Sequence, residues 1–372
     1  MRVLHVTSGR LFGGIEQMLL TIARHAAVTP EIEATFAVAA PGRLEQELRA
    51  AGAPTISLGN VRLSRPPSIV QARARFARVL DELCPAAIVY HAPWSYALFA
   101  RAAQHRGIRV VLWQHDHAAG AGVIERWTRR TRADLVICNS RWTAASAGNL
   151  QPGVRISVIH PPSAIAMPAA DTRSGIRQSL GAGADDVIVL SASRMEPWKG
   201  HVSVLRALAA IQDLPSWTMW MAGGAQRPHE ARYAARLANE ASRLGIQARV
   251  RFLGERRDLP ALMAAADLFC QMNERPEPFG VVFAEALYSC LPVVTASLGG
   301  APEIVSDACG RLVVAGDGHA LSLALRDVIG DSALRARLGA AGPAHAAALC
   351  APDVVLPRLA QTLQSLGASA AA

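Results

Sequence analysis

The stretch Asn273-Glu-Arg-Pro-Glu277-Pro-Phe-Gly280-Val-Val-Phe-Ala-Glu285 joins a polar, proline-rich loop to an apolar helix. Pro276 and Pro278 disfavour helix before Gly280, so the helix is predicted to begin close to Phe279–Val281. The first N–H groups of a helix lack intrahelical partners and lie at the positive end of its dipole. This junction is therefore a natural site for an anion.

Two carboxylates flank the predicted helix start. Helical side chains lean toward the N-terminus, so Glu285 in the second turn is expected to point toward the end where Glu277 lies. Carboxylates repel a phosphate but accept hydrogen bonds from hydroxyl groups, so the pair is expected to bind sugar or ribose hydroxyls. The alternative interpretation is a solvated loop glutamate and an ordinary surface glutamate.

Strand and helix patterns alternate along the chain, which predicts an α/β fold with parallel sheets covered by helices on both faces. Prolines at Pro161-Pro-Ser and Met167-Pro168 interrupt this rhythm and are taken as the linker between two domains. The 372 residues also exceed the size of one typical domain. Two doubly wound domains that face a central cleft are therefore expected, with ligands at the carboxyl ends of the strands. The predicted strands are Val3–Thr7, Ala34–Ala39, Ala87–Tyr90, Val110–Gln114, Leu135–Cys138, Ser157–Ile159, Val187–Ser193, Trp217–Ala222, Val250–Leu253, Asp267–Gln271, Pro292–Thr295 and Arg311–Val314.

The domain boundaries follow from the linker. Residues 1–165 are expected to form an N-terminal Rossmann-like domain, and residues 166–350 a C-terminal Rossmann-like domain. In residues 351–372, apolar side chains recur at helical spacing, so a final helix that packs back on the N-terminal domain is predicted. The longer predicted helices include Glu16–Ala27 and His201–Leu214.

Composition narrows the cellular setting. Mean hydropathy of +0.20 indicates well-filled cores. The first residues form a strand pattern without a secretory h-region, and no apolar run is long enough to cross a bilayer. Six cysteines occur without CxxC spacing, which favours a reduced, cytoplasmic setting over a disulfide framework.

The net charge of +9 lies entirely in the first half of the chain. Residues 1–165 contain 19 arginines against 10 acidic residues, whereas residues 166–372 contain 19 of each sign. This asymmetry indicates an anionic partner such as a membrane surface, a lipid-linked phosphate or a nucleic acid, with a general preference for arginine as the alternative. We predict peripheral association with anionic membrane. The arginines that motivate this prediction are Arg73, Arg75 and Arg78 on an amphipathic helix, and a second cluster of Arg126, Arg129, Arg130 and Arg132.

Two cations occupy a loop that follows a predicted strand. Arg194 and Lys199 lie five residues apart, so a planar guanidinium fork and a compact ammonium can converge on one diphosphate. Lys199 is the only lysine beside 37 arginines, which indicates that this position needs an ammonium specifically. Chance is the alternative explanation.

Three weaker signals follow other predicted strands. Gly13-Gly14-Ile-Glu16 lets the backbone approach a ligand at a helix start, although a plain tight turn fits equally well. His115 follows the strand Val110–Gln114 and is interpreted as a site residue, with a structural hydrogen bond as the alternative. His115 and His117 flank Asp116, but no third ligand group with suitable spacing lies nearby, and no DxD motif occurs. Gly299-Gly300 could supply further backbone N–H groups to the ligand.

Taken in order, these motifs resemble the retaining glycosyltransferases of family 4, which have the GT-B architecture of two Rossmann-like domains. The resemblance covers almost the whole chain. The motifs that carry it are Gly13-Gly14-x-Glu16, the His115 strand end, Arg194-x-x-x-x-Lys199-Gly200, Glu277-x-Phe-Gly…Glu285 and Gly299-Gly300-x-x-Glu303. Pro278, where a small residue is common, and the second glutamate Glu274 depart from the usual loop and bear on which donor sugar is preferred.

The resemblance implies that residues 1–165 form the acceptor-binding domain and residues 166–350 the donor domain. It also implies roles for individual residues. Arg194 and Lys199 would hold the diphosphate of a nucleotide sugar as leaving group, Glu277 would bind donor-sugar hydroxyls, and Glu285 the ribose. His115 would lie next to the sugar. Catalysis would consist mainly of positioning and charge neutralisation, without a protein nucleophile, a cofactor or a metal. Backbone groups that would contact the donor belong to Gly13, Gly14, Phe279, Gly280 and Val281.

The resemblance leaves the donor and acceptor open. It implies transfer of a sugar to a glycan or lipid-linked acceptor, in cell-surface polysaccharide or glycolipid synthesis, from a protein that is cytoplasmic or peripheral on the inner face of the membrane. UDP and GDP are not distinguished. A sugar-nucleotide 2-epimerase with the same two domains is the principal alternative, and a glycosidase built on Glu277 and Glu285 is another. A nucleic-acid partner is disfavoured because the arginines lack interleaved aromatic residues.

Overall fold

Parallel strands and helices alternate in both halves of the computed structural model. The chain divides into two units, unit 1 of Met1–Ser163 with Cys350–Ala372, and unit 2 of Ala164–Leu349. The structure describes residues 1–165, 172–183, 185–214, 217–225 and 227–368. Of the predicted linker, Met167 and Pro168 lie outside these residues.

Unit 1 contains a seven-stranded parallel sheet with the order β3-β2-β1-β4-β5-β6-β7. Its strands are β1 (Arg2–Thr7), β2 (Glu33–Val38), β3 (Thr55–Ser57), β4 (Ala87–Tyr90), β5 (Arg109–Gln114), β6 (Leu135–Cys138) and β7 (Ile156–Val158). Its helices are α1 (Gly14–Arg24), α2 (Arg43–Ala50), α3 (Pro66–Leu83), α4 (Pro93–Gln104), α5 (Val123–Thr128) and α6 (Arg141–Ala144).

Unit 2 contains a six-stranded parallel sheet with the order β10-β9-β8-β11-β12-β13. Its strands are β8 (Val187–Ala192), β9 (Trp217–Ala222), β10 (Val250–Gly254), β11 (Leu268–Gln271), β12 (Val293–Ala296) and β13 (Gly310–Val313). The helices from here to the end of the chain are α7 (Thr172–Ser179), α8 (His201–Ala209), α9 (Pro228–Arg243), α10 (Leu259–Ala265), α11 (Val281–Tyr288), α12 (Ala301–Ile304), α13 (Gly318–Gly330), α14 (Ser332–Cys350) and α15 (Pro352–Ala368).

Each sheet has a switch point where the strand order reverses, between β1 and β4 in unit 1 and between β8 and β11 in unit 2. Loops that leave neighbouring strands diverge there and open a crevice at the carboxyl ends. The two parallel sheets with alternating helices confirm the predicted α/β fold with two Rossmann-like domains. The switch points are the places to look for ligand-binding side chains.

The sheet of unit 1 is buried on both faces. Successive side chains of a strand point to opposite faces, so each strand contributes to two apolar clusters. In β1, Leu4 and Val6 join one apolar cluster, whereas Val3 joins the other. The second cluster is completed by α15, whose Leu359 and Leu363 are buried against it. The last helix of the chain therefore belongs to unit 1, although all of unit 2 precedes it in sequence.

All twelve predicted strands are confirmed to within one residue at each end, and the differences elsewhere have local causes. The helix predicted over Glu16–Ala27 ends at Arg24, where the chain tightens into a 3-10 turn. The helix predicted over His201–Leu214 ends at Ala209. β3 was missed because it is a short edge strand without a fully buried residue, and α14 was missed because its apolar residues follow no amphipathic period.

Candidate active site

The candidate residues of unit 2 follow the two strands at its switch point. The loop after β8 carries Arg194 and Lys199, and the loop after β11 carries Asn273 and Glu277. The two loops are joined because the N–H of Glu274 donates to the carbonyl of Trp198 at 2.7 Å. Parallel-strand topology therefore brings together residues that are about eighty positions apart in sequence.

Lys199 and Glu277 form a close ion pair. Nζ of Lys199 donates to Oε2 of Glu277 at 2.6 Å, and the two side chains are only 12% and 15% exposed. The ammonium also lies 3.9 Å from the centre of the Trp198 ring, a cation–π contact. Asn273 donates to the same Oε2 at 2.8 Å and in turn accepts from the buried Gln271 at 2.9 Å. The Glu277 carboxylate is thus held from two sides.

Arg194 is held by a second set of carboxylates. Its Nη1 lies 2.9 Å from Oε1 of Glu196 and 3.9 Å from Oε1 of Glu230. Glu196 also accepts from Nε1 of Trp198 at 2.6 Å. Trp198 therefore contacts both Lys199 and the carboxylate partner of Arg194. One possible metal-ligand atom from each of Glu196, His229 and Glu230 lies within 4.8 Å of the other two. This group could hold a metal ion, but the Arg194 guanidinium already supplies positive charge there.

The helix predicted to follow the proline-rich loop begins at Val281, as expected, and its N-cap Gly280 has φ +103°. The loop is fixed by Gly299-Gly300. Gly299 pairs with Glu277 as a parallel bridge, and the N–H of Gly300 donates to the Glu277 carbonyl at 2.7 Å. The Gly300 N–H, expected to serve a ligand, is therefore engaged in holding the loop.

Glu285 lies in the second turn of α11 and is partly buried. Burial raises the pKa of its carboxyl to about 7, because removal from water disfavours the charged form. Phe279, in contrast, is buried with 2% exposure, so only its backbone is suited to contact a ligand. The N-terminal end of α11 thus combines a carboxylate in an ion pair with a carboxyl that titrates near neutrality.

The glycines of unit 1 lie where the sequence predicted. Helix α1 begins at Gly14, and both Gly13 and Gly14 are exposed. The N–H of Gly13 donates to Oε2 of Glu16 at 3.0 Å, so a carboxylate caps this helix start. An anion at Gly14 would approach this carboxylate, which favours the hydroxyl groups of a ligand over its phosphates.

His115 follows β5, as predicted, and its backbone carbonyl accepts from Asn139. Burial lowers the pKa of its imidazole to about 3, so the ring is neutral at physiological pH. Its Nε2 lies 3.0 Å from Nδ1 of His91, which follows β4. Sequence reasoning missed His91, although a histidine directly after a buried strand is the same signal that identified His115.

Two family models match the chain. One, described as glycosyl transferases group 1, matches residues 172–345, and the other, glycosyltransferase family 4, matches residues 12–163. The first match lies within unit 2 and the second within unit 1.

Curated relatives and solved structures agree with the family models. The chain is 30% identical, over 72% of its length and 74% of the relative's, to a GDP-mannose-dependent monoacylated alpha-(1-6)-phosphatidylinositol monomannoside mannosyltransferase of Corynebacterium glutamicum. It is 35% identical over 53% of its length to a D-inositol 3-phosphate glycosyltransferase of Streptomyces avermitilis, of which 42% is covered.

Among solved structures, Anabaena Alr3699/HepE in complex with UDP and glucose superposes with a TM-score of 0.85 at 28% identity, covering 98% of this chain and 100% of that one. These relatives give no support to the epimerase alternative. Because it has two Rossmann-like units and matches both family models, the chain belongs to glycosyltransferase family 4 and has the GT-B fold.

Proposed function

We propose that this enzyme transfers a hexose from a nucleoside-diphosphate sugar to a glycan or lipid-linked acceptor, with retention of anomeric configuration. The observation that carries the proposal is the Lys199–Glu277 pair at the switch point of unit 2. A cation for a diphosphate and an acceptor for hydroxyl groups stand side by side there, as a sugar diphosphate requires. The relatives that use GDP-mannose or are solved with UDP and glucose support this donor class.

Lys199 has enough donors to act on both groups. An ammonium has three N–H donors and spends one on Glu277, so the others remain to meet a diphosphate oxygen while the ion pair persists. Arg194 likewise has five donors and uses a part of them on Glu196. We propose that the two cations neutralise the charge that develops on the departing diphosphate, without a metal ion.

The remaining candidates are assigned around this donor. Glu277 accepts from the sugar hydroxyls, and Glu285 accepts from the ribose once it is ionised. Three residues of unit 1 are proposed to contact the sugar, namely Gly13, Gly14 and the neutral His115. Backbone N–H groups of Phe279, Gly280 and Val281 meet phosphate or sugar oxygens at the start of α11.

Isothermal titration calorimetry with UDP, GDP, UDP-glucose and GDP-mannose in the presence of EDTA tests the donor class. NMR of the product's anomeric centre then tests retention of configuration. Lys199→Ala is expected to weaken the preferred nucleotide about 10- to 150-fold, the value of one or two charge-assisted hydrogen bonds. Lys199→Arg should restore only part of the affinity. Arg206→Ala, which removes an exposed cation of unit 2, is the control. Failure of all four nucleotides to bind, or a requirement for divalent metal, would contradict the proposal.

The acceptor side is proposed from the surface of unit 1. The Arg73 guanidinium of α3 lies 5.8 Å from the Trp127 ring of α5, so the two arginine clusters of the sequence lie next to each other. Val70 and Val123, on the same two helices, are 68% and 71% exposed. Basic residues with exposed apolar side chains suit an anionic bilayer surface.

We therefore propose a cytoplasmic enzyme that is peripheral on the inner face of the membrane and acts in cell-surface polysaccharide or glycolipid synthesis. Among the described residues, no helix combines the length and hydropathy that crossing a bilayer requires. Any contact with lipid would then be made through this basic surface. The lipid acceptor in the name of the Corynebacterium relative is consistent with such a location.

A further inference from the structure

Three histidines form a continuous hydrogen-bonded chain across neighbouring strands of unit 1. His5 lies in β1, His91 follows β4 and His115 follows β5, and these strands are adjacent in the sheet. Nδ1 of His5 lies 3.0 Å from Nε2 of His91, and Nδ1 of His91 lies 3.0 Å from Nε2 of His115. The alternation of side chains along parallel strands puts all three rings on the face that also carries Trp113.

Two of the three histidines are almost fully buried, and all three rings are uncharged. His5 and His91 are each 1% exposed. Burial lowers the pKa of His5 to about 4, and burial together with its two histidine neighbours lowers that of His91 well below the ordinary value. Each ring therefore carries a single N–H at physiological pH.

A neutral His91 links the proton positions of its two neighbours. Both of its nitrogens are in hydrogen bonds, and a neutral imidazole has one donor and one acceptor. If Nδ1 of His91 donates to His115, its Nε2 must accept from His5, and the reverse arrangement reverses both bonds. The tautomer of His115 is therefore coupled to those of His91 and His5, and with it whether Nδ1 of His115 is a donor or an acceptor.

We propose that His91, supported by His5, is a positioning residue that holds His115 in one neutral tautomer and one ring orientation. The catalytic consequence rests on the proposed function, in which His115 contacts the donor sugar. Because Nε2 of His115 bonds to His91, Nδ1 is the nitrogen that would meet the sugar. Nδ1 of His115 would then be a fixed donor or a fixed acceptor for a hydroxyl group or the ring oxygen of the sugar. Fixing this group in advance lowers the entropic cost of orienting the sugar during transfer. A purely structural role would require only the stacked rings, which are 5.2–5.3 Å apart between centroids.

His91→Phe separates the two roles, because phenylalanine preserves a stacked ring and removes both nitrogens. In ¹⁵N-histidine NMR spectra at pH 7, His115 of the unaltered enzyme should show one tautomer, and His91→Phe should give a mixture. His91→Asn, whose amide reaches about as far as Nδ1, should restore one tautomer. His105→Phe, which replaces an exposed histidine of the same unit, is the matched control.

Kinetics supply the second measurement. His91→Phe should lower kcat about 100-fold, the effect expected when a group is misplaced by about 1 Å. The affinity for free nucleotide should stay unchanged, since the residues proposed to hold it belong to unit 2. His5→Phe should have a smaller effect of the same kind, because His91 still contacts His115.

An unchanged His115 tautomer in folded His91→Phe would overturn the proposal, as would a kcat within twofold of the unaltered enzyme. Circular dichroism establishes folding, and if His91→Phe does not fold, the same spectra of His91→Asn and His5→Phe decide. The NMR comparison needs no substrate. Failure of the proposed function would appear as an absence of nucleotide-sugar turnover in the unaltered enzyme, independently of the tautomer.

Discussion

In unit 2, two basic residues are each paired with a carboxylate. Lys199 is paired with Glu277 at 2.6 Å, and Arg194 with Glu196 at 2.9 Å, so each cation proposed to meet phosphate already has a carboxylate partner. Preformed pairs hold long side chains in place and reduce the entropy lost on binding. Glu285 differs, because burial raises its pKa to about 7.

Glu285 should make stability depend on pH in a defined direction. The folded state retains a proton that the unfolded chain, with a pKa near 4.5, has lost, so the free energy of unfolding should fall as pH rises from about 4.5 to 7. Glu285→Gln removes this loss. We expect the variant to gain several degrees in Tm over the unaltered protein at pH 8, and much less at pH 5.

The matched control is Glu274→Gln, which neutralises an exposed carboxylate of the same loop region. Its Tm change should be similar at both pH values. Titration with UDP or GDP should show weaker binding to Glu285→Gln at pH 8, if the ionised group accepts from ribose. Equal Tm shifts for Glu285→Gln at pH 5 and pH 8 would mean that the group titrates normally.

At the scale of elements, the site depends on loops that lie against each other's backbone. Gly299 has φ +70°, and a Cβ at this position would lie 2.3 Å from the carbonyl oxygen of Glu277. The glycine therefore lets the loop before α12 pair directly with the loop before α11. The position of Glu277 is set by this pairing as well as by its own side-chain contacts.

Gly299→Ala should displace Glu277 and lower kcat/KM about 100-fold, as for other shifts of about 1 Å in a binding group. Gly316→Ala is the control, because Gly316 has φ +84° but open space around its Cβ position. Both variants carry left-handed strain of about 1–2 kcal/mol. Only Gly299→Ala carries the steric conflict, so equal kinetics in the two variants would contradict this role.

Sequence patterns were sufficient for features that are local. Pro276, Pro278 and Gly280 predicted the start of α11, because dihedral preferences act within a few residues. The Lys199–Glu277 pair and the His5–His91 contact could not be read from the sequence, because strand order and register create them. Gly300 was assigned to a ligand for the same reason, since its backbone partner lies 23 residues away.

At the scale of the whole molecule, the uneven charge is the main feature that the proposed donor site does not explain. All of the +9 excess lies in residues 1–165. Some of these arginines have structural partners, since Arg73, Arg129 and Arg132 donate to backbone carbonyls. Arg75, Arg78, Arg126 and Arg130 are exposed and are the better candidates for contact with lipid.

Replacing Arg75, Arg78, Arg126 and Arg130 together with serine should weaken binding to phosphatidylglycerol vesicles about 1,000-fold, at about 1 kcal/mol for each charge. Flotation at low and high salt measures this effect. Serine at Arg232, Arg236, Arg257 and Arg337 removes the same charge from unit 2 as a control. If both quadruple variants float alike, or if salt has no effect on the unaltered protein, the basic surface has no such role.

The return of α15 to unit 1 has a consequence for synthesis on the ribosome. Its buried Leu359 and Leu363 complete an apolar cluster whose other strands and helices come from the first 163 residues. Unit 2, a continuous segment, emerges entirely before α15 does. The part of the chain made first is therefore the part finished last, and a nascent chain halted before residue 352 exposes an uncovered leucine-binding face that chaperones can recognise.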